Sequence, residues 1–377
     1  MMTNGIDPII PLTLSNIPNV GKKTLKFALD EFQKDIDNSK EKFIFIRDFL
    51  NKNSDSLKKI NFRFAVPNDN ELNLAYDKAK NVLLESNRAN IEIIPRDSTN
   101  FPEKLKQIPD PPLILFAKGN ISLINQSKAI GIVGTRNPSD YGVTTAEKLG
   151  EISAKNHFVV VSGLAEGCDA AAHEGCLNEN GQTIAVLAHG LQMIYPRQNA
   201  NLAERILDSN GCLLSEYAYG VRPSRFSFID RDRLQSGLSC GIVVVETDIK
   251  GGTMHTVDFC LKQKRKLACV QHPDNHLLLS QARGNQLLIK EKNAIPVNVD
   301  DKDSISNLFR EMQSTSFSKN DEVLIPKPTS PTRSLEKNPE LNEFIVPVFS
   351  QKERILKSTP KKRGQISLGD FKNENPG

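Results

Sequence analysis

The chain lacks several features that would fix its class at once. No apolar run among its 377 residues approaches the length of a membrane span, and Met1-Met2-Thr3-Asn4 begins no signal peptide. A cytoplasmic protein without a membrane partner is therefore expected. The six cysteines (168, 176, 212, 240, 260 and 269) form no Cys-x-x-Cys pair and lie in or beside apolar segments. That placement argues for buried thiols in a reducing compartment, not for disulfides or zinc ligands. There is no Gly-x-x-x-x-Gly-Lys-Ser/Thr loop, no clustered set of metal ligands, and no Ser-His-Asp or Cys-His set with supporting context. No cofactor, no metal and no hydrolytic machinery are expected.

Charge of one sign is scarce too. The net charge is +4, and the stretch 351–377, with seven Lys/Arg against three acidic residues, holds all of that excess. The remainder is near neutral, so any nucleic-acid binding by it must use a local cluster of cations and not a global field.

What the chain does contain is alternation. Apolar runs at 129–134, 158–162, 183–188, 212–215, 241–246 and 266–271 are separated by helical patterns. That spacing predicts βαβ units, hence an α/β fold with a Rossmann-like, mostly parallel sheet over residues 128–299. Ahead of it, residues 1–60 read as a small helical domain. Residues 61–127 read as a connector packed on the core, with a helix near 71–87 and strands at 91–94 and 113–117. Behind it, residues 300–377 read as a linker, with one helix before 318, and a largely disordered basic tail.

The apolar runs end in small residues, which exposes backbone N–H groups at one edge of the sheet. Gly134-Thr135-Arg136 heads this set: glycine allows close approach and Arg136 supplies charge. Ser162-Gly163 and Gly251-Gly252-Thr253 close two further runs as anion cradles. Asp169 reads as a helix cap, His173 as a packed histidine, Tyr195 as a semi-buried anchor and Arg197 as a surface residue. Between the fourth and fifth runs, Arg222, Arg225, Phe226, Phe228, Arg231 and Arg233 interleave cations with rings. They suit a single strand, with arginines on phosphates and rings on bases. The alternative is that the rings are core and the arginines pair with Asp230 and Asp232. Near the N-terminus, Ile17-Pro18-Asn19-Val20-Gly21-Lys22-Lys23-Thr24 is either a helix-hairpin-helix turn offering N–H groups and lysines to a DNA phosphate, or a plain packing turn.

In order along the chain, these segments resemble the DNA-processing protein A family (DprA, also called Smf). The resemblance covers residues 94–299. It is carried by Phe101-Pro102 with Leu105, Pro109-Asp110-Pro111-Pro112, Gly134-Thr135-Arg136 with Tyr141-Gly142, and Ser162-Gly163-Leu164-Ala165 with Ala172-His173. Further along it is carried by Tyr195-Pro196 with Asn199, Ser215-Glu216-Tyr217, Arg231-Asp232-Arg233 with Ser236-Gly237-Leu238-Ser239, Gly252-Thr253 with Thr256, and Gly284-Asn285-Gln286-Leu287. It implies a non-catalytic protein that binds single-stranded DNA as a homodimer, protects incoming strands and loads a RecA-type recombinase. The family's phosphate-gripping arginine falls on Arg136, and its basic, aromatic loop falls on 222–228.

The chain departs from that pattern in four places. Asp232 stands between two arginines where the family has asparagine, His189 stands where glycine is common, and His272-Pro273-Asp274 replaces a Pro-Gly. A C-terminal winged helix is not expected. A rival reading keeps the same sheet edge for a small nucleotide, as a sensor or as a phosphoribohydrolase-like enzyme. Gly251-Gly252-Thr253 resembles the phosphate loop of that enzyme class, and Glu246 would be its acid. Finally, Gln365-Ile366-Ser367-Leu368-Gly369-Asp370-Phe371 resembles peptides that dock on the DNA sliding clamp, although chance or a simple DNA tether would also account for so short a match.

Overall fold

Strong runs of Val, Ile, Leu and Ala that are apolar at every position, not at alternate ones, have to be covered on both faces. The computed structural model, which describes residues 6–32 and 41–314, shows how this is done. Nine strands form one sheet: β1 (Glu92–Pro95), β2 (Ile114–Gly119), β3 (Ala129–Val133), β4 (Val159–Ser162), β5 (Thr183–Leu187), β6 (Cys212–Ser215), β7 (Gly241–Val244), β8 (Lys266–Val270) and β9 (Ile295–Val297). Their order across the sheet is β1-β2-β6-β5-β4-β3-β7-β8-β9. From β6 to β9 every pairing is parallel; β2 runs antiparallel to β6, and β1 antiparallel to β2.

The six expected runs are thus all strands of one mostly parallel sheet. Residues 61–127 contribute β1 and β2 to that same sheet. β9 was not anticipated, because Ile295-Pro296-Val297 is short and carries a proline, which is tolerated on an edge strand.

Helices α1 (Ile9–Asn16), α2 (Lys22–Phe32), α3 (Lys42–Lys52) and α4 (Ser54–Ile60) make the N-terminal unit, followed by α5 (Asp69–Arg88) and the short α6 (Glu103–Lys106). The Asn68 side chain accepts from the Glu71 backbone, while Glu71 reaches back to Asn68, so a capping box starts α5. Between and after the strands come α7 (Asp140–Lys155), α8 (Cys168–Asn178), α9 (Ala200–Asp208), α10 (Arg225–Leu238), α11 (Thr253–Lys262), α12 (Ser280–Glu291) and α13 (Lys302–Gln313).

The strand pleat distributes side chains between two faces. In β7 and just beyond it, Val243 and Val245 join Leu149 of α7, Cys176 of α8 and Leu308 of α13, whereas Ile242 and Val244 join Val257 of α11 and Leu288 of α12. Leu234 and Leu238 of α10 pack with Val159 and Val161 of β4. The N-terminal helices share a core with the sheet through Leu164, Leu187 and Leu213, and Phe32 stacks on Phe49 at 3.8 Å. All six cysteines are buried and none is in a disulfide, and burial pushes the Cys176, Cys212 and Cys260 thiols up to about 12. Among the described residues no helix is long and apolar enough to cross a membrane. The clamp-like segment 365–371 lies outside the described residues.

The C-terminal ends of β7 and β8 are joined by one buried amide. Asn285 accepts from the Thr247 N–H at 3.0 Å and donates to the Val245 and Val270 carbonyls at 2.8 and 3.1 Å. Asn285→Ala strands these backbone groups out of water. It should lower the unfolding free energy by about 2–3 kcal/mol in chemical denaturation, with the denaturant slope retained. An unshifted midpoint would show that the tie carries little of the fold's stability.

Candidate nucleic-acid interface

Strands β4, β5 and β6 extend from one side of β3, and the chain then crosses back to lay β7 on the other side. At such a reversal the two following connections leave in opposite directions and open a crevice at the strands' C-terminal ends. A cleft of about 480 Å³ lies there, lined by Gly134, Thr135 and Arg136 after β3 and by Thr247 and Asp248 after β7. Gly251, Gly252 and Thr253 line its side at the start of α11, where helix geometry leaves N–H groups without intrahelical partners. Gly134 cannot be replaced at this turn without movement, since an added Cβ would come within 2.5 Å of the Cys168 sulfur.

The other wall is α10. Its start is fixed by a second capping box, Ser224 with Ser227, so the helix begins at Arg225. Residues 222–228 are therefore not a loop throughout. Phe228, Arg231, Asp232 and Gln235 recur at helical spacing and face the cleft together. Arg136 is exposed, and its guanidinium sits over the Phe228 ring, 5.1 Å from the centroid; Tyr195 approaches the same ring at 5.7 Å. Tyr195 is exposed, not the semi-buried anchor expected.

Arg231 is 5% exposed and belongs to the floor. It donates to the Gly163 and Val186 carbonyls at 2.7 and 2.6 Å and pairs with Asp232 at 3.2 Å. A Cβ on Gly163 would collide with this guanidinium at 2.0 Å. Gly163 is thus needed for the arginine's passage. Its own N–H donates to Asp169 at 3.0 Å, and the Ser162 hydroxyl donates to the Ile132 carbonyl at 2.7 Å. Ser162 and Gly163 are therefore spent on internal bonds and do not line the cleft as an anion cradle. Asp169 closes this turn by accepting from it, and does not occupy the N-cap of α8, which is Gly167. Burial raises the Asp169 carboxyl against the opposing pull of Arg231. His173 is fully buried against Thr183, and desolvation lowers it to about 3, as a packed histidine should behave.

Arg233 points elsewhere. It bonds Asp110 at 3.1 Å and also Glu216, and Lys22 joins the same two carboxylates at 2.7 and 3.6 Å. Burial opposes ionisation of Asp110, but Lys22 and Arg233 outweigh it and hold the carboxyl below its usual value. Neither cation is available to a phosphate. Of the alternative in which the arginines pair with Asp230 and Asp232, only the Arg231–Asp232 ion pair is present among the described residues. Lys22, at the helix-hairpin-helix-like turn, is a tie to the core. Arg222, Arg225 and Phe226 are exposed ahead of the cleft, with Phe226 55% accessible.

Comparison with known proteins follows the same outline. The model of the family described as DNA recombination-mediator protein A matches residues 92–309, more than half of the chain. The chain belongs to that family. It is 40% identical over 201 residues to the DNA processing protein DprA of Bacillus subtilis, covering 53% of this chain and 67% of that protein. Against protein Smf of Escherichia coli it is 37% identical, over 49% of each chain. Outside the first of these, the chain spans about half the length of such relatives. The X-ray structure of DprA from Streptococcus pneumoniae superposes with a TM-score of 0.63 at 25% identity, covering 80% of this chain and 98% of that one. DNA processing protein A of Helicobacter pylori, whose structure concerns its single-stranded DNA binding mode, superposes at 0.52 with 28% identity, over 59% and 96%.

In this family member, cleft residues that sequence reasoning did not single out include Ile229, Gln235, Thr247, Asp248, His255, Ser280 and Gln281. Gln235 was legible from the spacing 228-231-232-235 once α10 was recognised; Ile229 shares that helix, and the others come from segments that meet only in space. Glu246, the acid of the rival enzyme reading, is fully buried and does not line the cleft. It accepts from the Ser139 N–H and hydroxyl at 2.8 and 2.5 Å and faces His272 at 3.3 Å. Burial pushes its carboxyl up, but the His272 and Ser139 bonds prevail and keep it ionised below the usual range.

Asp232 behaves in the opposite way. Burial, with Asp169 nearby, raises it to about 6 although Arg231, His255 and Thr256 pull it down. A carboxyl raised in the folded state holds its proton there between its unfolded and folded values. Stability therefore falls as pH rises from about 4 to about 6, and the penalty persists above that. Asp232→Asn should raise the unfolding free energy by about 1–3 kcal/mol at pH 8 and leave it nearly unchanged at pH 4. Denaturation at the two pH values checks this; an equal effect at both would show that ionisation of Asp232 is not its source.

Proposed function

We propose that this chain binds single-stranded DNA along the C-terminal edge of its sheet. Arg136 and the start of α11 hold phosphates, and Phe228 gives a face on which a base can stack. The observation that carries the reading is the exposed Arg136 guanidinium poised over Phe228 at the mouth of the switch-point cleft. The single-stranded DNA binding mode of the H. pylori relative supports the choice of ligand. Arg222, Arg225 and Phe226 extend the contact beyond the cleft.

The role is binding, not turnover. The carboxylate that a phosphoribohydrolase-like reaction would use, Glu246, is buried and committed to Ser139 and His272. We further propose that it acts in the cytoplasm as a homodimer that protects strands and delivers them to a RecA-type recombinase, a reading that the family resemblance supports. The segment Gln365–Phe371 is offered as a sliding-clamp peptide. A synthetic 358–377 peptide should bind purified clamp, and replacing Leu368 and Phe371 by Ala should abolish that binding. A wild-type peptide that does not bind ends the docking idea.

Titration of a labelled oligo-dT and of the matching duplex at two salt concentrations tests the main reading. Preference for the single strand and a steep loss with salt are expected, because phosphate contacts release counterions. Arg136→Ala should weaken binding about tenfold, uniformly across sequences. Duplex preference, or an unchanged affinity of the variant, would overturn the assignment.

A further inference from the structure

The N-terminal unit carries a second surface of cations around an exposed ring. Its centre is Phe62, 85% exposed on the connection that follows α4, with the Arg63 guanidinium 5.5 Å from the ring centroid. Lys58 and Lys59 stand exposed in the last turn of α4. The connection is held in shape. Asn61 donates to the Asn19 carbonyl at 2.7 Å, and its own side-chain oxygen accepts from the Arg63 N–H at 3.1 Å. The first bond brings the 61–63 segment against the turn before α2, and Lys23, in the first turn of that helix, is exposed. Among the described residues, Lys23, Lys58, Lys59 and Arg63 make no ion pair.

This surface continues the candidate interface. Lys22, next to Lys23, is tied to Glu216, which directly follows β6, so the turn sits at the same C-terminal edge of the sheet as the cleft. β6 lies three strands from β3, roughly 14 Å at ordinary strand spacing. Arg222, Arg225 and Phe226 are exposed in the segment that follows β6. Rings and cations in this order are what a single strand asks of a protein: charge for each phosphate, a flat apolar face for a base, and no fixed sequence.

We propose that Phe62, Arg63, Lys58, Lys59 and Lys23 form a second single-stranded DNA contact, which takes up the strand after it leaves the cleft. The proposal rests on the reading of the cleft as a single-strand site. It requires that a strand of about 6 nucleotides fills the cleft alone and that one of about 25 reaches both surfaces.

The chain contains no tryptophan, so Phe62→Trp in the full chain places a single indole at the proposed stacking position. Its fluorescence should be quenched by the long oligo-dT and not by the short one. The triple variant Lys58→Gln/Lys59→Gln/Arg63→Gln should bind the long strand about tenfold more weakly, with a salt slope lower by about 2, and bind the short strand as before. Phe62→Ala should also weaken only the long strand. An unquenched indole together with unaltered long-strand affinity in the triple variant overturns the proposal, as does quenching by anionic vesicles but not by oligonucleotide. If the short strand fails to bind the wild type, or binds Arg136→Ala equally well, the cleft reading fails instead; long-strand quenching still reports on Phe62 directly.

Discussion

The cleft depends on one buried guanidinium. Arg231 reaches from α10 beneath the ends of β4 and β5, bonding the Gly163 and Val186 carbonyls, and it faces Asp232. Its buried bonds to two strand-end carbonyls tie the helix to the sheet's edge. That placement sets Phe228, one turn earlier, under Arg136. The absent Cβ of Gly163 is the condition for it. An arginine that reads in sequence as a phosphate ligand is instead the pin that positions the residues able to hold one.

A second buried charge fixes the opposite wall. Glu246 grips Ser139 by both backbone and hydroxyl, and the Ser139 hydroxyl in turn caps α7 by accepting from Gly142 at 3.1 Å. The turn carrying Arg136 is thereby anchored to the end of β7. With Glu246 consumed in this way, the acids left at the cleft are Asp169, Asp232 and Asp248. Asp248 is paired with Arg283 at 3.4 Å, and the other two are balanced by Arg231. On the floor the buried Asp169 and the mostly buried Asp232 accompany Arg231, and the exposed Arg136 stands at the mouth. Such a polarity favours a ligand whose phosphates run across the mouth over an anion buried at the bottom.

The N-terminal unit is coupled to the same edge by electrostatics. Lys22, Asp110, Glu216 and Arg233 form one network that joins the first residue of α2, the segment before β2, the end of β6 and α10. A cation pair sharing two carboxylates is spent on the fold, whereas Lys23, next along the chain, is exposed to solvent.

The apolar runs were enough to find the parallel core, because a strand covered on both faces must be apolar throughout, and that is a local property of the chain. Arg136, Gly134 and the Gly251-Gly252-Thr253 turn were legible for a similar reason: each is a strand end, and strand ends share an edge. What the sequence could not determine was which polar groups remain free once the chain is folded. Ser162, Gly163, Arg231 and Arg233 look equivalent to Arg136 in one dimension. Burial decides between them, since a buried polar group must be paired and an exposed one need not be. The partners that spend them (Ile132, Asp169, Val186, Asp110 and Glu216) come from other segments. Only the tertiary structure brings these together, and so only it separates the arginine that can meet a ligand from the arginines that hold the site in shape.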